Sequence, residues 1–134
     1  MPAMKYLGLV GLALALAAAP AAGVGLGPLA KSGVTDGPRK AFYLTLINPY
    51  PTATAFRAYA IGEGDEAAQL RVTIFPDEVT IGGNANRRLL VIADDLAAGE
   101  IYAFRVCAER AETSEGLIHA RVCSHLTARR LPAG

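Results

Sequence analysis

Over the last third of the chain, apolar and polar residues alternate twice, across residues 101–109 and 117–127, with a turn-like segment at 112–116 between them. A strand has a period of two, so this alternation predicts a β-hairpin whose register can be tested, because a one-residue slip swaps every face. Setting Cys107 opposite Cys123 places Glu109 opposite Arg121 and Arg105 opposite His125. One face then carries Ile101, Ala103, Arg105, Cys107 and Glu109 beside His119, Arg121, Cys123, His125 and Thr127. The other carries Tyr102, Phe104, Val106 and Ala108 beside Ile118, Ala120, Val122 and Leu126, which is what a sheet needs to cover a core. A single register therefore joins the two cysteines, pairs an acid with a base and segregates the apolar side chains.

Upstream, residues 24–34 are Gly-rich with sparse apolar points at Leu26, Leu29 and Val34, and predict one edge strand. Asp36-Gly37-Pro38 signals a turn. Residues 39–48 alternate, with Phe42, Leu44 and Leu46 on one face and Tyr43, Thr45 and Ile47 on the other, and Asn48-Pro49-Tyr50-Pro51 interrupts the run. A further strand is expected over 52–61, then a turn at Gly62-Glu63-Gly64-Asp65. Leu70, Val72 and Ile74 alternate until Pro76, which cannot donate to a ladder, and Val79 and Ile81 read as a short extension of the same strand. Leu89, Leu90, Val91 and Ile92 are apolar in succession, consistent with a buried strand whose inward face stays open. Residues 94–99 read as a loop. About seven short strands, with turn signals every 8–12 residues or so, predict an all-β, immunoglobulin-like β-sandwich.

The chain has 134 residues, 52% of them hydrophobic, and a net charge of +1. Part of that apolar content lies at the N-terminus, where a short basic stretch precedes the uncharged run 6–18 and the small residues Ala19-Pro20-Ala21. This is the pattern of a secretory signal peptide, expected to be cleaved after Ala21. An uncleaved N-terminal anchor is the alternative. Residues 22–134 then form one domain of ordinary size. In an oxidising compartment, facing Cys107 and Cys123 are most simply a disulfide, worth roughly 3 kcal/mol in the chain-entropy model. A net charge near zero argues against nucleic acid as a partner, and against a membrane surface held by charge.

The order of features resembles the N-terminal domain of PapD-like periplasmic pilus-assembly chaperones. The residues that carry the likeness are Asp36-Gly37, the strand into Asn48, Pro76 followed by Val79-Thr80-Ile81-Gly82-Gly83, an apolar strand, and then Glu100-Ile101-Tyr102-Ala103-Phe104-Arg105. The resemblance implies an exported chaperone-like domain that assists fimbrial, pilus or secreted subunits by β-strand addition, in which backbone hydrogen bonds give affinity and side-chain pockets give selectivity. The corresponding donated side chains would be Ile118, Ala120, Val122 and Leu126, unless these line the domain's own core. The family also binds a subunit's terminal carboxylate with basic residues on its first and last strands, for which Lys31, Arg129 and Arg130 are the candidates here. The chain departs from the family in having no sequence for a second immunoglobulin-like domain after Gly134.

Other chemistry is sparse. Cys107, Cys123 and His125 form an alternative soft-metal set, whereas His119 and Cys123, four residues apart on a strand, are separated by about 13 Å, too far for one ion. Nucleophile-elbow, zincin, Cys-x-x-Cys and P-loop motifs are absent from the sequence, and Asp65-Glu66 and Asp94-Asp95 are adjacent loop carboxylates that point apart. The reading is a binding protein rather than an enzyme, with no cofactor and an extended strand or sheet edge as partner. A secreted structural or adhesion module is the rival, and a small periplasmic metal-binding protein a further one.

Overall fold

The computed structural model describes residues 24–112 and 120–134. The expected leader at 1–21, most of the 112–116 turn, Ile118 and His119 lie outside them. Nine strands run in the order β1 (Gly25–Gly27), β2 (Ala30–Thr35), β3 (Lys40–Ile47), β4 (Thr54–Gly62), β5 (Val72–Phe75), β6 (Glu78–Ile81), β7 (Asn86–Ala93), β8 (Ile101–Arg110) and β9 (Val122–Arg130). They form two sheets, ordered β1-β3-β7-β5 and β2-β9-β8-β4-β6.

The core lies between the sheets. Phe42, Leu44 and Leu46 of β3 and Leu89, Val91 and Ala93 of β7 face Phe56 of β4, Phe104 and Val106 of β8 and Leu126 of β9, all buried. Phe42 and Phe104 meet edge to face across it, with ring centroids 6.4 Å apart. Alternation thus settles the inward face that stayed open for residues 87–93: the odd positions of β7 point in.

Two expectations change, and together they raise the strand count from seven to nine. The single edge strand over 24–34 is two strands in different sheets: β1 pairs antiparallel with β3, and after a cis Gly27-Pro28 bond β2 pairs parallel with β9. Pro28 has no N–H for a ladder, so the break falls where pairing would be lost anyway. The second change concerns residues 79 and 81. They do not extend β5 but belong to β6, which pairs with β4 in the opposite sheet, while β5 pairs with β7. Leu70, expected in that strand, precedes it and is 94% exposed.

The hairpin register is the one the alternation predicts, with Cys107 against Cys123 and Arg105 against His125. The two cysteines form a disulfide across the strands.

Candidate functional site

A partner can add a strand only where backbone groups are unpaired, so the site is built from sheet edges. Strand β9 is covered on one side by β8 along 122–129 and on the other by β2, but β2 begins at Ala30 and reaches β9 only at His125. His125 donates its backbone N–H to Leu29 O at 2.8 Å, so odd-numbered residues of β9 direct their backbone groups to the β2 side. By the same alternation Cys123 directs its N–H and C=O to that side, where β2 does not reach it among the described residues, and the alternation carried one step past the start of β9 gives Arg121 the same direction. The space there is bounded by Pro28, which has no N–H to offer and whose carbonyl accepts the Ser124 hydroxyl at 2.6 Å.

Side chains hold this edge in line. Arg121 makes two bonds to Glu66, both 2.8 Å, and a third to the Tyr59 hydroxyl. Tyr59 in turn donates to Glu109 at 2.8 Å, and Glu109 also accepts from Arg57. Arg105 joins from β8, bonding Glu66 and the Gly62 and Asp65 carbonyls. The loop after β4 is thereby tied down across the outer face of the sheet, and Cys107, although on that face, is fully buried. A backbone already fixed in extended form loses less entropy when a partner strand pairs with it.

Hydrogen bonds from Arg121, followed by its charge and that of Arg105, hold the Glu66 carboxyl down to about 2 against an ordinary 4.5. Arg71 and the Ala97 N–H do the same for Glu100. A depressed carboxyl stabilises the fold fully above its unfolded pKa and loses that contribution as pH falls through the folded value. Stability is therefore expected to be level from pH 7 to about 5 and to decline between about 4.5 and 2, and Glu66→Gln or Glu100→Gln should each flatten part of that decline. Urea titrations across this range check it, and a decline already under way at pH 6 would contradict it.

The structure separates the sequence-derived site residues. Leu126 is fully buried and Val122 half-buried against the core, so the Leu126 side chain fills this domain's own interior, the alternative that the sequence left open. Ala120 is exposed, and Ile118 lies outside the described residues. Lys31, Arg129 and Arg130 do not assemble into one clamp. Lys31 is level with Leu126, while Arg129 is level with Val34 and Arg130 with Thr35. Lys31 and Arg129 therefore lie three positions apart on opposite faces, and Lys31 and Arg130 four positions, about 13 Å, apart. Arg130 is in addition committed to the Leu96 carbonyl at 2.7 Å. The soft-metal alternative loses its thiolates to the disulfide.

Sequence reasoning also missed Glu66, taken with Asp65 as a solvated loop carboxylate. The available signal was that Arg105 and Arg121 each stand two residues before a cysteine, so both flank the disulfide on one face.

No family model matches the chain, and no curated protein sequence does. Solved structures are similar in fold. The Escherichia coli chaperone DraB matches with a TM-score of 0.63 and 13% identity over 80% of this chain and 54% of that one. A structure of the Salmonella enterica SafA pilin in complex with the SafB chaperone matches with a TM-score of 0.66 and 16% identity, over 84% and 57%. A PapD-like domain of human CEP192 matches with a TM-score of 0.65 and 17% identity, over 99% of this chain and 100% of that domain. The fold is PapD-like, and the chain spans somewhat more than half the length of the pilus chaperones it matches.

Proposed function

We propose that this chain is an exported, chaperone-like domain that binds an extended strand of a fimbrial, pilus or other secreted subunit by β-strand addition and assists its folding or assembly. The observation that carries the reading is the edge at Arg121 and Cys123, uncovered among the described residues and held in place by the Glu66 clasp. Alternating backbone donors and acceptors on a preformed edge are what strand addition requires. In this reading residues 1–21 direct export and are removed, the domain 22–134 works in the periplasm, and the Cys107–Cys123 disulfide suits that compartment. The likeness in fold to pilus chaperones, one of them solved with a pilin, supports the same class of partner.

The test is to purify the protein natively from its periplasm and identify by mass what remains bound. Arg121→Pro removes the outward N–H, whereas Arg121→Ala keeps it and loses only the side-chain clasp. A stoichiometric subunit retained by wild type and, more weakly, by Arg121→Ala but lost from Arg121→Pro is the expected result. A protein that carries nothing, or retention by all three, overturns the reading.

A structural or adhesion module is the second reading, left open because the same fold also occurs in a PapD-like domain of human CEP192. That reading requires self-association that grows with concentration, which sedimentation velocity measures directly.

A further inference from the structure

A second gap in the backbone pairing lies at the opposite side of the sandwich from β2. Strand β6 covers β4 only along residues 54–57. Beyond it, the Asp77 carbonyl takes the Ala58 N–H, the Ala60 carbonyl takes the Gln69 N–H, and the Gly62 N–H goes to Ala67. These bonds show that even-numbered residues of β4 direct their backbone groups to this side, and they leave the Ala58 C=O and the Ala60 N–H without a partner among the described residues. Strand β5 presents a matching edge. The Asp94 N–H bonds to Arg71 O, so odd-numbered residues of β5 face β7 and even-numbered ones face away, which turns the Ile74 N–H and C=O and the Val72 C=O outward.

The two edges border one cleft of about 410 Å³ between the sheets. Three small side chains, Ala58, Ala60 and Ala68, form one part of its wall and leave room that larger residues would fill, while Val72, Ile74 and Phe75 of β5 line another. A hollow of about 280 Å³ adjoins it, sharing Ala58, Tyr59 and Asp77 and adding Glu78 and Arg57, so one mouth of the cleft carries two exposed carboxylates beside one guanidinium, which Glu109 already engages. Asp77 makes no ion pair among the described residues.

We propose that this cleft is a second binding site, for an extended polypeptide segment with small apolar side chains and a basic residue, held by backbone hydrogen bonds to Ala60 and Ile74. Backbone donors and acceptors at strand spacing select an extended main chain over a compact ligand. The alanine wall admits small apolar side chains, and the Asp77 and Glu78 carboxylates favour a cation at that mouth. The site stands independently of the β9 edge, from which it is separated by β8 and β4.

The probe is the capped peptide acetyl-Val-Ala-Val-Lys-amide, titrated into isotope-labelled protein recovered from the periplasm and followed by amide resonances. The Ala60 and Ile74 amides are expected to shift saturably and their exchange with solvent to slow about tenfold or more at saturation. The same peptide methylated at every backbone nitrogen should produce neither effect. Ala68 is exposed, so Ala68→Phe fills the cleft without entering the core and should weaken binding about tenfold or more while core amides such as Val106 keep their exchange rates. The proposal is overturned if the Ala60 and Ile74 amides stay still, if the methylated peptide or Ala68→Phe gives the same response, or if the shifts appear only at Cys123. Shifts that grow with protein concentration in the absence of peptide would assign the cleft to a second copy of the chain and also overturn it.

Discussion

Replacing Asn48 by alanine is expected to destabilise the protein by about 3 kcal/mol, a large effect for a side chain remote from either strand edge. Asn48 is fully buried at the end of β3, where the chain leaves one sheet for the other. Its side-chain amide donates to the carbonyls of Ile81 at 2.9 Å, Thr52 at 3.0 Å and Gly82 at 3.1 Å, and its carbonyl accepts the Tyr50 N–H. One side chain thus ties the end of β3 to the turn that follows it and to the turn after β6 in the opposite sheet. The packing there is close: a Cβ on Gly83 would lie 2.1 Å from the Pro51 carbonyl oxygen, so only glycine fits. Alanine at position 48 would remove the donor that the Thr52, Ile81 and Gly82 carbonyls share, leave the Tyr50 N–H without its acceptor and open a small void, and these terms set the magnitude.

Aspartate at the same position supplies the control that separates hydrogen bonding from packing. Its shape is nearly that of asparagine, but it places a carboxylate oxygen against three carbonyl oxygens, which pushes the folded-state pKa of that carboxyl up. A raised carboxyl pKa means that the folded protein binds the proton more tightly than the unfolded one, so stability rises as pH falls. Asn48→Asp should therefore be worse than Asn48→Ala at pH 7 and recover toward pH 5, whereas Asn48→Ala shows no such recovery. Urea unfolding of both variants at the two pH values decides the matter. Equal, pH-independent losses would mean that the amide acts only by filling space.

Different parts of the fold are legible from sequence to different degrees, for reasons that are physical. The β8/β9 register was legible because two cysteines, an acid opposite a base, and two apolar faces all had to agree at once, and only one register meets every condition. Strand β3 was legible for the same reason, since Phe42, Leu44 and Leu46 leave no choice of inward face. The first strand was not: β2 buries none of its residues fully, so its pattern carries no sign that it has changed sheets after Pro28. Nor can local alternation name a partner, which is why β6 read as an extension of β5. The site shows the same limit more sharply. Alternation over 118–126 pointed to side chains, whereas the proposed edge consists of backbone groups of Arg121 and Cys123, left uncovered among the described residues by where β2 starts, a tertiary fact with no local signature.

Loss of the disulfide is expected to have an effect of the same size through a different mechanism. Cys107 and Cys123 are 16 residues apart, and opening a loop of that length returns entropy to the unfolded chain worth roughly 3 kcal/mol. For a domain of this size that corresponds to a fall in Tm of roughly 12–20 °C. The double variant Cys107→Ala/Cys123→Ala and the reduced wild-type protein should agree in this loss, because both free the same loop. Urea unfolding should also show a steeper dependence on denaturant, since the unfolded chain becomes less compact once the link is gone. The clasp over the disulfide adds a kinetic term to this thermodynamic one. Cys107 is buried on the outer face beneath the loop that Arg105 and Arg121 hold through Glu66, while Cys123 is half-buried, so the loop narrows the approach of a thiolate to the bond. Glu66→Ala should therefore speed reduction by dithiothreitol under native conditions while changing equilibrium stability far less than removal of the cysteines does. Unchanged reduction kinetics in Glu66→Ala would show that access to the disulfide is governed by opening of the whole domain.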